Sequence, residues 1–233
     1  MNAIEENEFV TGFRSISKTL PNPTAILCVS AHWYTPGTKI SSVEKPPTIH
    51  DFGGFPQELF EVQYPAPGEP ALAQYTQELV GKENAELDDK WGLDHGAWSV
   101  IKHLYPAANI PIIQMSIDYT KPPAYHFELA KQLSKLREKG VLIIGSGNIV
   151  HNLGALDWEQ PTAAYDWART FDAFVKDALI NDQPDKLIHY QQGGSEAKLS
   201  IPTLDHYLPL MYLIGLRRPS DTLTFPYEGF EYG

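Results

Sequence analysis

The sequence predicts an α/β fold, a layered α/β/α sandwich around a central mixed, largely parallel sheet. Short continuous apolar runs, typical of strands buried on both faces, alternate with segments whose apolar residues recur at helical spacing. A chain of 233 residues can also bury a large core without disulfide or metal staples. We find no internal repeat and no linker, so residues 1–233 are expected to form a single domain.

Each element is predicted from its periodicity and from the residues that bound it. Residues 48–70 are too rich in Pro and Gly for regular structure and carry four aromatic residues, which predicts a long loop that forms a wall or lid of an active site. Asp205 is a candidate cap for the last helix. The predicted strands are 25–30, 40–43, 110–117 and 141–144, and the predicted helices are 5–20, 71–80, 96–104, 125–138, 166–180 and 204–216.

The charge balance argues against several classes of partner. Eighteen Lys and Arg against 29 Asp and Glu give a net charge of −11, with no basic block, so neither nucleic acid nor a membrane surface is an expected partner. No apolar run approaches the roughly 20 residues that span a bilayer, and the N-terminal residues do not resemble a signal peptide. Together with a single cysteine, Cys28, in an apolar run, these features predict a cytoplasmic protein with one buried thiol.

Five of the eight histidines follow predicted strands or lie in Gly- and Asp-rich loops. Ligands of open α/β sheets bind beyond the carboxyl ends of the strands. Imidazole is the commonest transition-metal ligand and the usual acid or base at neutral pH, so these positions predict a metal site, proton transfer, or both. The spacing itself is not specific, because HExxH and CxxC are absent. The five are His32, His50, His95, His151 and His206, whereas His103, His126 and His189 are expected on the surface.

Other signals are weaker. The Gly-Ser-Gly-Asn run at 145–148 lacks the further glycine and the Lys-Ser/Thr of a phosphate loop, and Ser146 lacks the GxSxG context of a nucleophile, so a tight turn is expected. Four aromatic residues adjoin the histidines and either belong to the core or wall a flat aromatic substrate. These are Trp33, Phe52, Phe55 and Trp98.

The histidines stand in five recognisable segments. They are Ser-Ala-His-Trp at 30–33, Ile-His-Asp-Phe-Gly-Gly-Phe-Pro at 49–56, Leu-Asp-His-Gly at 93–96, Gly-Ser-Gly-Asn-Ile-Val-His-Asn-Leu at 145–153 and Asp-His-Tyr-Leu-Pro-Leu at 205–210. In this order they resemble the class III extradiol ring-cleavage dioxygenases, and within that family the 4,5-DOPA extradiol dioxygenase-like branch with its bacterial zinc and iron homologues. The resemblance extends over essentially the whole chain.

The resemblance implies an enzyme that opens the ring of a catechol such as L-DOPA with O2 and binds one Zn2+ or Fe2+ ion per chain. His151 would be either an extra ligand or the acid/base. The site residues that it implies are His32, His206 and His151 for the metal, His151 and His95 for catalysis, and His50, Phe52 and Trp33 for the substrate.

The family pattern also includes a His-Gly-Ser-Pro segment at the end of a first strand and a further strand at the C-terminus. Neither is in this sequence, so the first and last family strands are expected to be missing. Two alternatives therefore stay open. One is a non-catalytic, metal-poor binding scaffold of the same fold. The other is a zinc-dependent hydrolase, for which Asp51 and Asp94 are the nearest candidate bases. The physiological catechol, the native metal and the oligomeric state are not predicted.

Overall fold

A five-stranded sheet with the order β3-β2-β4-β1-β5 forms the centre of the computed structural model, which describes residues 3–160 and 162–232. β1 pairs in parallel with β4 and β5, β2 pairs in parallel with β3, and β2 meets β4 antiparallel. The predicted mixed, largely parallel sheet is therefore confirmed. The strands are β1 (Ala25–Thr35), β2 (Thr38–Ser41), β3 (Ala85–Asp88), β4 (Ile112–Asp118) and β5 (Val141–Ser146).

Helices cover both faces of this sheet. α1 and α4 pack on one face, whereas α3, α5 and α10 pack on the other, which gives the predicted α/β/α layers. None of the helices described is both long and apolar enough to cross a membrane. The helices are α1 (Glu8–Ser17), α2 (Gln57–Glu61), α3 (Pro70–Val80), α4 (His95–Leu104), α5 (Pro123–Gln132), α6 (Ser134–Glu138), α7 (Asp166–Ile180), α8 (Pro184–Ile188), α9 (Gly194–Ser200) and α10 (Leu208–Leu216).

β1 divides its side chains between two hydrophobic cores, because successive residues of a strand point to opposite faces. Leu27 and Val29 belong to the core under α3, α5 and α10, and Ile26 and Cys28 to the core under α1 and α4. Cys28 is fully buried, as predicted, and burial raises the pKa of its thiol well above the ordinary value. The continuous apolar run in the sequence thus reflects a strand that is covered on both sides.

Element boundaries differ from the predictions where tertiary contacts extend or shorten a pattern. The helix at 166–180 is confirmed at both ends, and the helix at 125–138 is two helices that meet at Leu133. β1 runs on to Thr35 instead of ending at residue 30, because pairing with β4 resumes at Tyr34. β3 was not predicted, since its sequence, Ala-Glu-Leu-Asp, is too short and polar to form an apolar run.

The start of the last helix corrects a further expectation. α10 begins at Leu208, its N-cap is Tyr207, and no side chain caps it, so the prediction of Asp205 as cap is wrong. The three residues before Leu208 instead form a turn, in which the amides of Tyr207 and Leu208 both donate to the carbonyl oxygen of Leu204. This turn presents His206 ahead of the helix.

Two histidines expected on the surface are buried. His126 of α5 is fully buried, and its Nδ1 lies 2.9 Å from the hydroxyl of Tyr212. His103 of α4 is also buried and stacks on Phe13 at 6.4 Å between ring centroids. A position on a predicted helix does not by itself show which side of that helix is covered by the rest of the fold. His189 is exposed, as expected.

The predicted loop at 48–70 is ordered by hydrogen bonds and contains the short helix α2. The amide of Ile49 donates to the carbonyl of Leu93 at 2.7 Å, and the Trp98 indole donates to the carbonyl of Ile49 at 2.9 Å. At its far end Tyr64 is buried, and its hydroxyl donates to the carbonyl of Tyr105 at 2.7 Å. The loop is therefore fixed against α4 and the residues that flank it.

Candidate metal and catalytic site

Four of the five singled-out histidines form one chain of ring contacts. The centroid of His32 lies 3.8 Å from that of His95 and 5.1 Å from that of His206. His206 in turn stacks on His151 at 3.4 Å and an interplanar angle of 11°. Residues from four separate segments are therefore gathered into one cluster.

His32 and His95 are brought together by β1 and the first turn of α4. His32 lies inside β1, where the pairing with β4 shifts register between Val29 and Tyr34. The expectation that His32 follows the strand is therefore corrected, because the strand continues past this irregularity. Such irregularities redirect side chains and are frequent next to active sites. His95 is the first residue of α4, behind the N-cap Asp94.

His151 and His206 approach from the segments after β5 and before α10. The amide of His151 donates to the carbonyl of Ser200 at 2.9 Å, and the amide of Asn148 donates to the carbonyl of His206 at 3.0 Å. A Cβ on Gly147 would collide with the same carbonyl of His206, so glycine is needed for this close approach of two backbones. The Gly-Ser-Gly-Asn run thus forms the support for His206.

The side chain of Ser146, within the same run, makes a structural hydrogen bond. Its hydroxyl donates to the carbonyl of Gly96 at 2.7 Å, which ties the end of β5 to the first turn of α4. The tight turn expected here is not found at Ser146, because this serine is the last residue of β5.

Asp51 contacts both His32 and His95. Its Oδ1 accepts the backbone N–H of His95 at 2.9 Å. Its Oδ2 lies 3.0 Å from Nδ1 of His95 and 3.8 Å from Nδ1 of His32. The 3.0 Å contact is an ion-pair distance rather than a well-aligned hydrogen bond, because the ring N–H does not point at the oxygen. Burial opposes ionisation of Asp51, but the contacts with His95 outweigh it and lower the pKa of this carboxyl.

His206 has two polar neighbours of its own. Its Nδ1 lies 3.1 Å from Oδ1 of Asn148, and its Nε2 lies 4.0 Å from Oδ2 of Asp205. Oδ1 of Asp205 is buried and has no hydrogen-bond partner among the described residues. Asn148 belongs to the segment 145–153 noted in the sequence, but the sequence does not show its contact with His206.

The surroundings of His32, His151 and His206 lower the pKa values of these three rings. Burial lowers the pKa of His32, and the neighbouring His95 adds to that effect. Burial also lowers the pKa of His151. For His206, burial together with His151 and His32 lowers the pKa to about 3. Neutral imidazoles keep the lone pair that a metal ion requires.

The donor atoms fit a divalent transition-metal ion. Two groups each offer three ligand atoms within 4.8 Å of one another, namely His32, Asp51 and His95, and His151, Asp205 and His206. Metal–ligand distances of about 2 Å require donors roughly 4 Å or less apart, so small side-chain rotations bring these atoms into range. The two groups adjoin each other through the His32–His206 contact.

An aromatic wall lies next to this cluster. Phe52 makes an edge contact with the ring of His95 at 5.3 Å and contacts the rings of His50, Phe60 and Trp98 at 4.9 to 6.3 Å. Nε2 of His50 lies 2.9 Å from the carbonyl oxygen of Val62, which holds this ring in place.

The other two aromatic residues noted in the sequence lie apart from the cluster of histidine rings. Trp33 is buried and stacks on Trp91 at 5.2 Å, so its ring contact is with a second tryptophan rather than with a histidine. Phe55 is exposed and contacts Phe52 at 5.7 Å. Of the four, Phe52 contacts the rings of His50 and His95, and Trp98 contacts the ring of His50 at 5.8 Å.

The family profile described as "Catalytic LigB subunit of aromatic ring-opening dioxygenase" matches residues 3–228. The chain belongs to this family. It is an extradiol dioxygenase, and the resemblance read from the five segments is confirmed.

Named relatives of the family are similar over most of the chain. A "4,5-DOPA dioxygenase extradiol" from Escherichia coli (strain K12) is 46% identical, over 100% of this chain and 87% of the relative. A protein of the same name from Mirabilis jalapa is 36% identical, over 91% and 79% respectively. Among solved structures, the crystal structure of an uncharacterized protein from Escherichia coli K12 has a TM-score of 0.86 at 40% identity and covers 99% of this chain and 90% of that one.

Proposed function

We propose that this chain opens the aromatic ring of a catechol such as L-DOPA by extradiol cleavage with O2, and that residues 1–233 act as one catalytic domain. The observation behind the proposal is the cluster of four imidazoles beside an aromatic wall in a member of this family. The names of the relatives support L-DOPA as the substrate to test first.

We further propose that His32 and His206 hold one Zn2+ or Fe2+ ion, with His151 as a further ligand when the ion is Zn2+ and as the acid/base when it is Fe2+. Neutral, mostly buried imidazoles within reach of each other are the donors that such ions prefer. Bound Fe2+ would supply the electron path between catechol and O2, whereas Zn2+, which has no redox couple, would hold the catechol only.

Proton transfer is the proposed task of His151 and His95. The lowered pKa of His151 makes it a neutral base at physiological pH, able to accept a proton from a catechol hydroxyl and to return it to the opened product. Nδ1 of His95 faces Asp51, so Nε2 is the nitrogen left to contact the second catechol hydroxyl. Asp51 then fixes the orientation of that ring.

The proposed role of the aromatic wall is to contact the substrate ring. Phe52 and His50 lie on the His95 side of the cluster. There they can make edge contacts with a catechol ring. Trp33 remains a proposed substrate residue, although its stacking on Trp91 favours a supporting role.

The hydrolase alternative has less support from these residues. Of its two candidate general bases, Asp94 is fully buried and caps α4, and Asp51 is engaged by His95. Neither carboxylate is free to activate a water molecule beside a metal ion.

Ring opening is tested directly by loading the purified chain with Fe2+ without oxygen and then adding L-DOPA in air. The expected result is a yellow ring-opened product and O2 uptake in equal amounts. The His206→Ala protein is the matched control, because it lacks one proposed ligand. If the iron-loaded protein consumed no O2 with any catechol offered, the proposal would be contradicted.

A further inference from the structure

Asp94 is a fully buried carboxylate beside the histidine cluster, and it has no cationic partner within ion-pair distance among the described residues. Its Oδ1 accepts the hydroxyl of Ser30 at 2.7 Å and the amide of Ala97 at 3.0 Å, and its Oδ2 accepts the side-chain amide of Gln114 at 2.7 Å. A buried charge is costly unless something nearby compensates it. The proposed proton transfers do not use this residue.

The hydrogen bonds around Asp94 are those that a carboxylate accepts. The backbone N–H of Asp94 donates to Oε1 of Gln114 at 3.0 Å, so the other side-chain atom of Gln114 is its NH2 group, a donor to Oδ2. The Ser30 oxygen accepts the amide of His32 at 3.3 Å, and its hydroxyl donates to Oδ1. With three fixed donors directed at it, the carboxyl group has the environment of an anion.

This anion lies close to His32. A Cβ placed on Gly96 would be 2.7 Å from Cδ2 of His32 and 3.3 Å from Oδ1 of Asp94, so these two atoms are no more than about 6 Å apart. At that separation the charge of the buried carboxylate interacts with the partly exposed His32 ring across little water. The N-terminus of α4, which Asp94 caps, offers only about half a positive charge.

We propose that Asp94 is the buried counter-charge of the metal centre, a positioning residue whose negative charge favours a divalent cation at His32. The inference rests on the proposed function, because it presumes a metal ion among the histidines. Neutral imidazoles do not offset the charge of such an ion, and the two other carboxylates beside the cluster, Asp51 and Asp205, are both partly exposed to solvent. A fixed carboxylate behind His32, shielded from solvent, offsets part of that charge without occupying a coordination position.

The test measures Zn2+ affinity by competition with a chromogenic chelator at neutral pH, in the metal-free full chain. Asp94→Asn and Asp94→Ser both remove the charge, and both residues can still cap α4. Ser30→Ala is the matched control, because it removes one hydrogen bond of the same network and keeps the charge. Circular dichroism and urea unfolding of the metal-free proteins check that each variant is folded.

We expect both neutral variants to lose on the order of tenfold or more in Zn2+ affinity, and Ser30→Ala to stay within about threefold of the parent. We also expect the visible spectrum of Co2+ at saturation to keep its shape in Asp94→Asn, because a lost charge weakens binding without rearranging the ligands. Parent-like affinity in a folded neutral variant would overturn the proposal. So would an equal loss in Ser30→Ala or an altered Co2+ spectrum, since either would show that ligand geometry is responsible. Failure of the parent chain to bind Zn2+ would instead remove the metal centre itself, and this inference with it.

Discussion

The imidazole rings of His151 and His206 stack face to face, 3.4 Å apart between centroids. Two positive charges could not be accommodated at this separation, which is one reason why the pKa of His206 is lowered to about 3. The Asn148 oxygen accepts from Nδ1 of His206, so Nε2 retains the free lone pair. The pair therefore presents neutral donors on the side that faces His32 and Asp205.

Removal of single histidines should separate metal binding from proton transfer. We expect His32→Ala and His206→Ala to abolish retention of Fe2+ after gel filtration, because each removes a proposed ligand. His151→Ala should keep most of the metal and lose roughly 100-fold or more in turnover, as expected for a general acid or base. Elemental analysis and O2 uptake provide the two measurements. Unchanged catechol cleavage by His151→Ala would refute the acid/base assignment.

Asn148 should act as an orienting acceptor for His206. Loss of such a partner typically weakens metal binding 10- to 100-fold, so we expect Asn148→Ala to reduce Zn2+ affinity by about that factor. Asn148→Asp is the matched control, since it keeps an oxygen 3.1 Å from Nδ1 of His206. Chelator competition measures both. Equal affinities for Asn148→Ala and the parent would show that the contact has no orienting role.

Gly96 is expected to be intolerant of any side chain. Its Cβ would lie 2.5 Å from the Ser30 hydroxyl and 2.7 Å from the His32 ring, so Gly96→Ala must displace these two packed side chains. We expect a loss of about 1–3 kcal/mol in the free energy of unfolding together with loss of activity. Gly53→Ala is the control, because nothing lies within 4 Å of the position that its methyl group would take. Urea denaturation measures the free energy of unfolding of both variants. Equal values for the two variants would contradict the packing described.

His126 should make the fold sensitive to mild acid. Burial lowers its pKa from 6.5 to about 4, and nearby backbone carbonyls only partly oppose this effect. The unfolded chain therefore binds the extra proton first, so stability falls as the pH drops from about 6.5 towards 4, by at most about 3 kcal/mol. Urea unfolding across this range should show a smaller decline in His126→Phe, whereas the exposed control His189→Asn should decline like the parent. An equally steep decline in His126→Phe would assign the effect to other groups.

Phe52 and Trp33 should differ in what their loss affects. Phe52 contacts the His95 ring, so we expect Phe52→Ala to raise KM for L-DOPA about tenfold, equivalent to 1.4 kcal/mol of binding. Trp33→Phe should leave KM nearly unchanged and lower stability, because it weakens the stacking on Trp91. Steady-state kinetics and thermal unfolding distinguish the two. A KM increase confined to Trp33→Phe would reverse the assignment.

The sequence by itself determined the α/β class, most of the elements and the identity of the clustered histidines. The apolar run at 25–30 marks a strand that is buried on both faces, and the helix at 166–180 is bounded as its periodicity indicates. The family was also readable, because each clustered histidine stands in a short segment with recognisable neighbours.

Only the tertiary structure decided how these histidines face each other and what lies behind them. The register shift in β1 orients His32, the turn before α10 presents His206, and Asp94 is enclosed by Ser30 and Gln114 from two different strands. Local periodicity records which side of one element is covered. Local periodicity does not show which distant side chain covers that side. This depends on the strand order and on close approaches between backbone segments, which only the assembled fold defines.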